Sequence, residues 1–243
     1  MKTMRPFFTY YGGKWRAAKR YPPPKYDLIV EPFAGAAGYS LRHYQKDVVL
    51  VDKDPVLAGL WDYLIHVSEK EILGLPLWQP DFDTVSDIPN ICQEARHLIG
   101  FWLNKGTTSP ARSPSAWQRT GKYSPGNFWG EPVKQRIASQ VGYIRHWKVI
   151  CGDYTAAKVS EPATYFVDPP YMRAGQHYKH GSKALDFAAL ASWCKSLDGQ
   201  VIVCEGEGAD WLPFQPYIDI KANESSRGGK VSKEYVWIND PSF

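Results

Sequence analysis

One stretch, YFVDPPY at residues 165–171, decides the fold. Its first three residues are apolar, as in a buried β-strand, and its last four place an acid, two prolines and an aromatic ring where that strand ends. Proline fixes φ and restricts the residue before it, so Asp168 and the carbonyl of Pro169 are held in place. Pro170 extends this rigid segment, while Tyr171 is free to stack on a ring. A carboxylate, a rigid carbonyl and an aromatic face can together hold a planar amine; for these four residues alone, a plain turn after a strand is the alternative.

Strand and helix signals alternate on both sides of this stretch. Short apolar runs predict strands at 28–30, 48–51, 149–151, 165–167, 201–204 and, as an antiparallel candidate, 235–238. Capping and periodicity predict helices at 39–44, at 55–66, after Ser68, over 131–146 and from Asp186 to 197. Polar, proline-containing sequence predicts loops at 79–90 and 106–130, and long loops inside a domain are usually functional. This alternation predicts an α/β protein with a mainly parallel sheet.

Chemically active residues follow the predicted strands at their carboxyl ends, where parallel α/β sheets bind ligands. The loop EPFAGAAG at 31–38 contains small residues that let a ligand approach the backbone closely. Asp52 follows the second strand, about 20 residues beyond this loop, which is where an acid takes ribose hydroxyls. Asp153 and Tyr154 follow the third strand, and Asp168 follows the fourth. The sequence therefore predicts one ligand site at a single edge of the sheet.

Positive charge is concentrated in one segment of the chain. The whole chain has a net charge of +4, whereas residues 96–148 contain nine Lys or Arg and one acid, Glu131, and so carry +8. The rest of the chain therefore carries −4, the difference between these values. Aromatic residues are interleaved with the charges, a combination that suits a phosphate backbone and exposed bases. The segment predicts nucleic-acid binding, with a solvated face over a small satellite core as the alternative.

The composition is that of a globular protein, with 44% hydrophobic and 22% charged residues in 243. No apolar run approaches the ~18 residues of a membrane span, and no apolar segment follows the N-terminus as in a signal peptide. The four cysteines are widely spaced without a CxxC pair. This spacing indicates neither a zinc site nor a disulfide framework and predicts small buried side chains. We expect a cytoplasmic protein with no membrane contact and no obligate protein partner.

The motifs and their order resemble those of the DNA adenine N6-methyltransferases with alpha-type motif order and a DPPY catalytic motif. YYGGK at 10–14 is similar to the family's N-terminal cofactor motif, and the loop at 31–38 to its FxGxG loop. Asp52 is similar to its ribose acid, and 168–171 to its catalytic motif. The resemblance covers most of the chain. One departure is Ala37, which stands where the family has the second glycine of FxGxG.

The resemblance implies S-adenosylmethionine as the cofactor. Lys14 would lie near the methionine carboxylate, Asp52 would accept hydrogen bonds from the ribose hydroxyls, and Asp153 would bind the adenine amine. The implied cofactor-binding residues are Tyr10, Lys14, Glu31, Phe33, Gly35, Gly38, Asp52, Asp153, Tyr154 and Asp168. No metal is implied, and we do not expect His177 and His180 to form a ligand pair, because no third ligand is apparent.

The resemblance also implies how the target base is held. The catalytic residues would be Asp168, Pro169, Pro170 and Tyr171. Asp168 and the Pro169 carbonyl would accept hydrogen bonds from the exocyclic amine, and Tyr171 would stack on the flipped base. The residues expected to approach DNA are Lys105, Arg112, Arg119, Lys122, Arg173, Arg227 and Lys230.

Taken together, we expect an α/β protein with a Rossmann-like S-adenosylmethionine-dependent methyltransferase sheet and a small basic target-recognition insertion. Residues 1–66 and 148–243 would form the catalytic and cofactor-binding domain, and 67–147 the insertion. The expected function is site-specific methylation of adenine N6 in double-stranded DNA, for example in restriction–modification, in a bacterial cell or a phage-infected host. An acid before Pro-Pro-Tyr favours adenine. The alternatives are an N4-cytosine DNA methyltransferase and an inactive DNA-binding module with the same fold.

Overall fold

A computed structural model describes residues 3–122, 124, 126–175, 178, 181–221 and 231–239. Its strands are β1 (Leu28–Glu31), β2 (Asp47–Asp52), β3 (Lys148–Cys151), β4 (Ala163–Val167), β5 (Gly199–Gly206), β6 (Gln215–Lys221) and β7 (Val231–Ile238). They form a seven-stranded sheet with the order β3-β2-β1-β4-β5-β7-β6. Strands β1 to β5 pair in parallel, whereas β7 runs antiparallel to β5 and β6.

This topology is the Rossmann-like sheet of the S-adenosylmethionine-dependent methyltransferases, and it confirms the predicted fold class. The strand order reverses between β1 and β4, which is the point where open α/β sheets bind ligands. All five residues of β4 are buried, so the 168–171 motif leaves the sheet at its centre. The predicted strands are confirmed, including the antiparallel β7. The sequence does not predict β6, because Pro216 and polar residues give it the pattern of a loop; an edge strand tolerates both.

The α-helices among the described residues are α1 (Trp15–Ala18), α2 (Pro55–His66), α3 (Glu69–Gly74), α4 (Gln93–Leu103), α5 (Ala116–Arg119), α6 (Glu131–Val141) and α7 (Phe187–Lys195). Ser68 and Asp186 cap α3 and α7 as predicted, each accepting a hydrogen bond from a backbone N–H at 3.0 Å. Two predicted helices are shorter than expected. The helix at 39–44 is only the 3₁₀ turn Ser40–His43, and the helix over 131–146 ends at Val141, where the 3₁₀ turn Gly142–Ile144 takes over.

Hydrophobic cores lie on both faces of the sheet, because successive strand residues point to opposite sides. Phe166 of β4 belongs to one core, and its neighbours Tyr165 and Val167 belong to the other, which packs against α7. The first core also includes the segment between β2 and β3: the Phe8 ring lies 5.1 Å from that of Phe101 in α4. The basic segment is therefore packed onto the sheet, and the predicted domain limits stay a prediction.

Two of the four cysteines, Cys194 and Cys204, are buried as predicted, whereas Cys92 and Cys151 are exposed. Within the described ranges, no helix is long and apolar enough to cross a membrane. The same ranges contain no group of three or more His, Cys, Asp or Glu side chains that could hold a metal ion.

Candidate active site

A cleft opens at the carboxyl ends of β1 to β4, the edge where the sequence places its candidate residues. It encloses about 1020 Å³, a figure that includes space open to solvent. The predicted cofactor-binding residues all line it: Tyr10, Lys14, Glu31, Phe33, Gly35, Gly38, Asp52, Asp153, Tyr154 and Asp168. Among the predicted catalytic residues, Asp168 and Pro170 line the cleft, whereas Pro169 and Tyr171 do not form its surface.

The glycine loop is held against both the sheet and the N-terminal loop. Asp52 Oδ2 accepts a hydrogen bond from the Gly35 N–H at 3.0 Å, and Trp61 Nε1 donates to the Gly35 carbonyl at 2.8 Å. At Gly38, a Cβ would lie 2.5 Å from the first backbone nitrogen of α1. Glycine is therefore required there for the N-terminal loop to approach, and the two motifs form one wall of the cleft.

Aromatic and acidic side chains line the opposite end of the cleft. The rings of Phe33 and Tyr154 stack with centroids 5.7 Å apart. Asp153 Oδ2 lies 3.3 Å from Lys53 Nζ in an exposed ion pair. Such pairs contribute only ~0–1 kcal/mol, so Asp153 can exchange this partner for a ligand at little cost. Together with Asp52, this end offers carboxylate acceptors on either side of an apolar ring.

Glu31 is the buried acid at the end of β1. It is 3% exposed, and its Oε1 accepts a hydrogen bond from the Ser40 N–H at 2.7 Å. Burial raises the pKa of Glu31 to about 8, although the hydrogen bonds from Ser40 act in the opposite direction. The carboxyl group is therefore largely protonated at pH 7. It anchors the 3₁₀ turn after the glycine loop and presents little charge to the cleft.

Lys14 joins two carboxylates beside the catalytic motif. Its Nζ lies 3.3 Å from Asp168 Oδ1 and 3.4 Å from Glu234 Oε2, and the residue is 8% exposed. Burial by itself lowers the pKa of Lys14, but the charges of Asp168 and Glu234 outweigh it, so this pKa lies above its usual value. The sequence predicts Lys14 near the cofactor's carboxylate. That role stays a prediction; in the structure the ammonium group lies between two carboxylates of the protein.

Asp168 has a raised pKa because several influences compete. Burial raises the pKa of Asp168 to about 6, the charge of Lys14 pulls it down, and the charge of Glu234 pushes it up. At pH 7 the group is mostly ionised and can only accept hydrogen bonds. In mild acid it becomes neutral and loses part of this capacity.

The ring of Tyr171 is fixed, in contrast to the free ring that the sequence predicts. Its O–H donates a hydrogen bond to Glu234 Oε2 at 2.5 Å, and Lys14 Nζ lies 4.5 Å from the ring centroid. A Cβ on Gly206 would lie 3.2 Å from the ring. Tyr171 also lines a second pocket together with Arg173 and other residues. Its partners come from β5 and β7, which the spacing within the motif cannot indicate.

Glu234 is the site residue that the sequence does not predict. It is 4% exposed and accepts hydrogen bonds from Tyr171, from Lys14 at 3.5 Å and from the Tyr21 O–H at 3.3 Å. One signal for it was present: Glu234 lies two positions before Val236, so both point to the same face of β7, and Val236 is buried. An acid at an inward position of a strand indicates a partner or a function.

The described members of the predicted DNA-binding set, Lys105, Arg112, Arg119, Lys122 and Arg173, do not line the cleft. Lys105 Nζ lies 5.9 Å from the ring centroid of Trp102. Arg119 donates hydrogen bonds to the Pro114 carbonyl and the Ser113 hydroxyl of its own loop. The remaining described members are Arg112 and Lys122, which are exposed, and Arg173 beside Tyr171. Arg227, Lys230, His177 and His180 lie outside the described residues.

Solved structures with similar folds are distant from this chain. A chain described as "conserved hypothetical protein" from Streptococcus pyogenes is 11% identical, with a TM-score of 0.37, over 88% of this chain and 86% of that chain. Another, described as "putative methyltransferase yhhF from Escherichia coli", is 11% identical, with a TM-score of 0.33, over 86% of this chain and 74% of that chain. No protein-family model and no curated protein sequence matches the chain. The sheet topology and the cleft at its switch point therefore define the class: an α/β protein with the fold of the S-adenosylmethionine-dependent methyltransferases.

Proposed function

We propose that the protein is a site-specific DNA methyltransferase that uses S-adenosylmethionine to methylate N6 of a flipped-out adenine. The observation that carries the proposal is the position of Asp168. It follows the central strand β4, opens onto the cleft and begins the sequence DPPY. Further support comes from the single cleft that collects the candidate cofactor residues, and from the +8 charge of residues 96–148.

The residues of the cleft fit the cofactor. Asp52 and Asp153 supply acceptors for ribose hydroxyls and an adenine amine, and the ring of Phe33 offers an apolar surface for a purine. Gly35 and Gly38 permit close approach of the backbone. When bound there, S-adenosylmethionine supplies the activated methyl group. Lys14 is engaged with protein carboxylates, so we assign it to the catalytic acid.

Asp168 would orient the target amine. Lys14 contacts Oδ1 of Asp168, so we assign Oδ2 and the carbonyl of Pro169 to the two amine hydrogens. Two positioned acceptors would draw the nitrogen lone pair out of conjugation and toward the methyl group. The new N–C bond would form as the sulfur–methyl bond breaks, with S-adenosylhomocysteine as the leaving group, and the amine proton would pass to solvent. This is orientation and electrostatic stabilisation without a covalent intermediate. The base must leave the duplex, because its amine cannot reach the methyl group inside the stack.

DNA recognition would fall to the insertion at 67–147 and to its flanks. Most basic side chains should contact phosphates, where the majority of protein–DNA hydrogen bonds occur. Base edges would be reached from the loop that carries Arg112, Arg119 and Lys122, because arginine is the usual bidentate partner of guanine. Arg119 would have to exchange its hydrogen bonds within the loop for contacts to a base.

The test is to incubate the protein with DNA and methyl-labelled cofactor, then digest the DNA to nucleosides. We expect label in N6-methyldeoxyadenosine, and far less of it with Asp168→Ala. Loss of one positioned acceptor costs about 2.7–4 kcal/mol, which corresponds to a 10²–10³-fold lower turnover. Label in N4-methyldeoxycytidine would show that cytosine is the substrate base, while the proposed mechanism would still apply. If a folded protein that binds the cofactor labels no nucleoside, the proposal is wrong and an inactive binding module becomes the better account.

A further inference from the structure

Two cations, Lys105 and Arg136, lie around the ring of Trp102, and the charge of a third, Arg5, acts on both of them. The Arg136 guanidinium carbon lies 4.9 Å from the ring centroid and Lys105 Nζ lies 5.9 Å from it, so these two charges are at most about 11 Å apart. The backbone of Arg5 is held by Gln140 of α6. The Arg5 N–H donates to Gln140 Oε1 at 2.9 Å, and Gln140 Nε2 donates to the Arg5 carbonyl at 3.0 Å. We call Arg5, Lys105 and Arg136 the Trp102 cluster.

The Trp102 cluster lacks a compensating negative charge in the part of the chain that the structure describes. No ion pair there joins these three residues to a carboxylate; Lys105 Nζ donates to the Asn127 Oδ1, and Arg136 Nη2 to the carbonyl of Pro6. Arg136 Nε is buried without a hydrogen-bond partner. Burial first, and then the neighbouring cations, lower the pKa of Lys105 and bring the pKa of Arg136 down to about 10. Arg136 is half-buried and Arg5 and Lys105 are exposed, so three cations without an anionic partner among the described residues are within reach of an external anion.

The cluster lies close to the cleft along the chain. Residues 5–10 run from Arg5 to Tyr10 in the cleft wall, and five residues span at most about 18 Å. That segment is bound to the end of α4: the Trp102 Nε1 donates to the Phe7 carbonyl at 2.8 Å and the Thr9 hydroxyl to the Phe101 carbonyl at 2.6 Å. The Cα atoms of Arg5 and Tyr10 are therefore at most about 18 Å apart, about half the ~34 Å length of one turn of DNA, so a single duplex is long enough to reach both.

We propose that the Trp102 cluster binds the phosphate backbone of the DNA next to the methylated base, an inference that rests on the proposed function. Arginine and lysine together suit phosphate oxygens, because their charge-assisted hydrogen bonds are short and strong. The contact would carry no sequence information and would hold the duplex against the cleft. It extends the DNA surface beyond residues 67–147, since Arg5 belongs to the N-terminal part of the chain.

The test compares two triple variants with equal loss of charge. One carries Arg5→Gln, Lys105→Gln and Arg136→Gln; the control carries Lys25→Gln, Lys158→Gln and Lys195→Gln, all at exposed positions outside the insertion. Binding to a short duplex is measured by fluorescence anisotropy from 50 to 200 mM salt. Each lost phosphate contact lowers the slope of log K against log salt by about 0.9, so we expect a drop of about 2.7 for the cluster variant and little change for the control. Equal slopes for the two variants would overturn the inference.

Arg136 is half-buried, so its loss could unfold the protein. The double variant Arg5→Gln/Lys105→Gln changes only exposed side chains and should lower the slope by about 1.8. Binding of inorganic tripolyphosphate separates this inference from the proposed function. Suppose that the wild type binds tripolyphosphate but not DNA, and that the double variant does not bind tripolyphosphate. The anion site is then supported and the DNA proposal is wrong. If the wild type binds neither, the anion site is wrong as well.

Discussion

Replacing Lys14 by Met should move the acidic limb of the activity profile to higher pH. Among the described residues that affect the pKa of Asp168, Lys14 is the only cation, and it lowers this pKa. Burial and the charge of Glu234 raise the same pKa. Methionine keeps much of the length and packing of lysine but removes the charge. Asp168 would then accept a proton at a higher pH, and only its ionised form accepts hydrogen bonds from the target amine without offering a donor.

The size of the effect follows from the geometry. Lys14 Nζ lies 3.3 Å from Asp168 Oδ1, and two unit charges at that distance interact by about 5 kcal/mol at an effective dielectric constant of about 20. Opposite charges this close typically change a carboxyl pKa by about 1–3 units. The wild-type midpoint lies near the Asp168 pKa of about 6. We expect the variant's midpoint about 1–3 pH units higher, so the active fraction at pH 7 falls from about nine-tenths to between about half and one-hundredth.

The assay is turnover at saturating cofactor and DNA from pH 5 to 9.5. The variant should recover activity in alkali, whereas loss of a cofactor contact would raise the KM for the cofactor at every pH. Lys14→Arg keeps the charge and should retain the wild-type midpoint, and the exposed Lys195→Met is the matched control. Circular dichroism must show that the Met variant is folded, because removing one member of a buried ion pair costs about 3–5 kcal/mol. An unchanged midpoint in a folded Lys14→Met protein would refute the reasoning.

Three further predictions concern stability and the cofactor. Tyr171→Phe removes one hydrogen bond to Glu234, which keeps Tyr21 and Lys14 as partners, so urea denaturation should show the loss of about 1.5–3 kcal/mol typical of a hydrogen bond to a charged group, while turnover should suffer less than in Tyr171→Ala. Asp52→Ala should weaken S-adenosylmethionine binding in calorimetry with DNA affinity unchanged; equal cofactor affinity would remove Asp52 from the site. Gly38→Ala places a Cβ 2.5 Å from a backbone nitrogen and should destabilise the protein by about 1–3 kcal/mol, whereas Gly142→Ala meets no atom within 4 Å and should not lower the melting temperature.

Much of the site could be predicted because parallel strands of one sheet end at the same edge. Asp52, Asp153 and Asp168 each follow a short apolar run, and strands β2, β3 and β4 run in parallel. A correct assignment of the strands therefore brings the three acids to one edge without any tertiary information. The glycine loop follows β1 by the same argument.

The partners of Tyr171 and Lys14 could not be predicted in the same way. Glu234 reaches them through β7, whose antiparallel register pairs it with Gly206. Register depends on how the faces of the whole sheet pack, and a shift of one residue would turn Glu234 away from Lys14 and Tyr171. Helix α4 is a different case, because Ala95, Leu98 and Ile99 have helical spacing and are buried. Its signal was present, but Cys92 is an unusual residue at the position of the cap.

The departure at Ala37 shows what the glycine pattern requires of the chain. Ala37 has a φ of 48° and its neighbour Gly35 has 46°, so alanine adopts the left-handed conformation for which glycine is favoured. That conformation costs a residue with a Cβ about 1–2 kcal/mol, whereas burying its methyl group contributes about 0.8 kcal/mol, and Ala37 is fully buried. The packing therefore offsets about half of the strain, and the loop holds a left-handed residue at both Gly35 and Ala37.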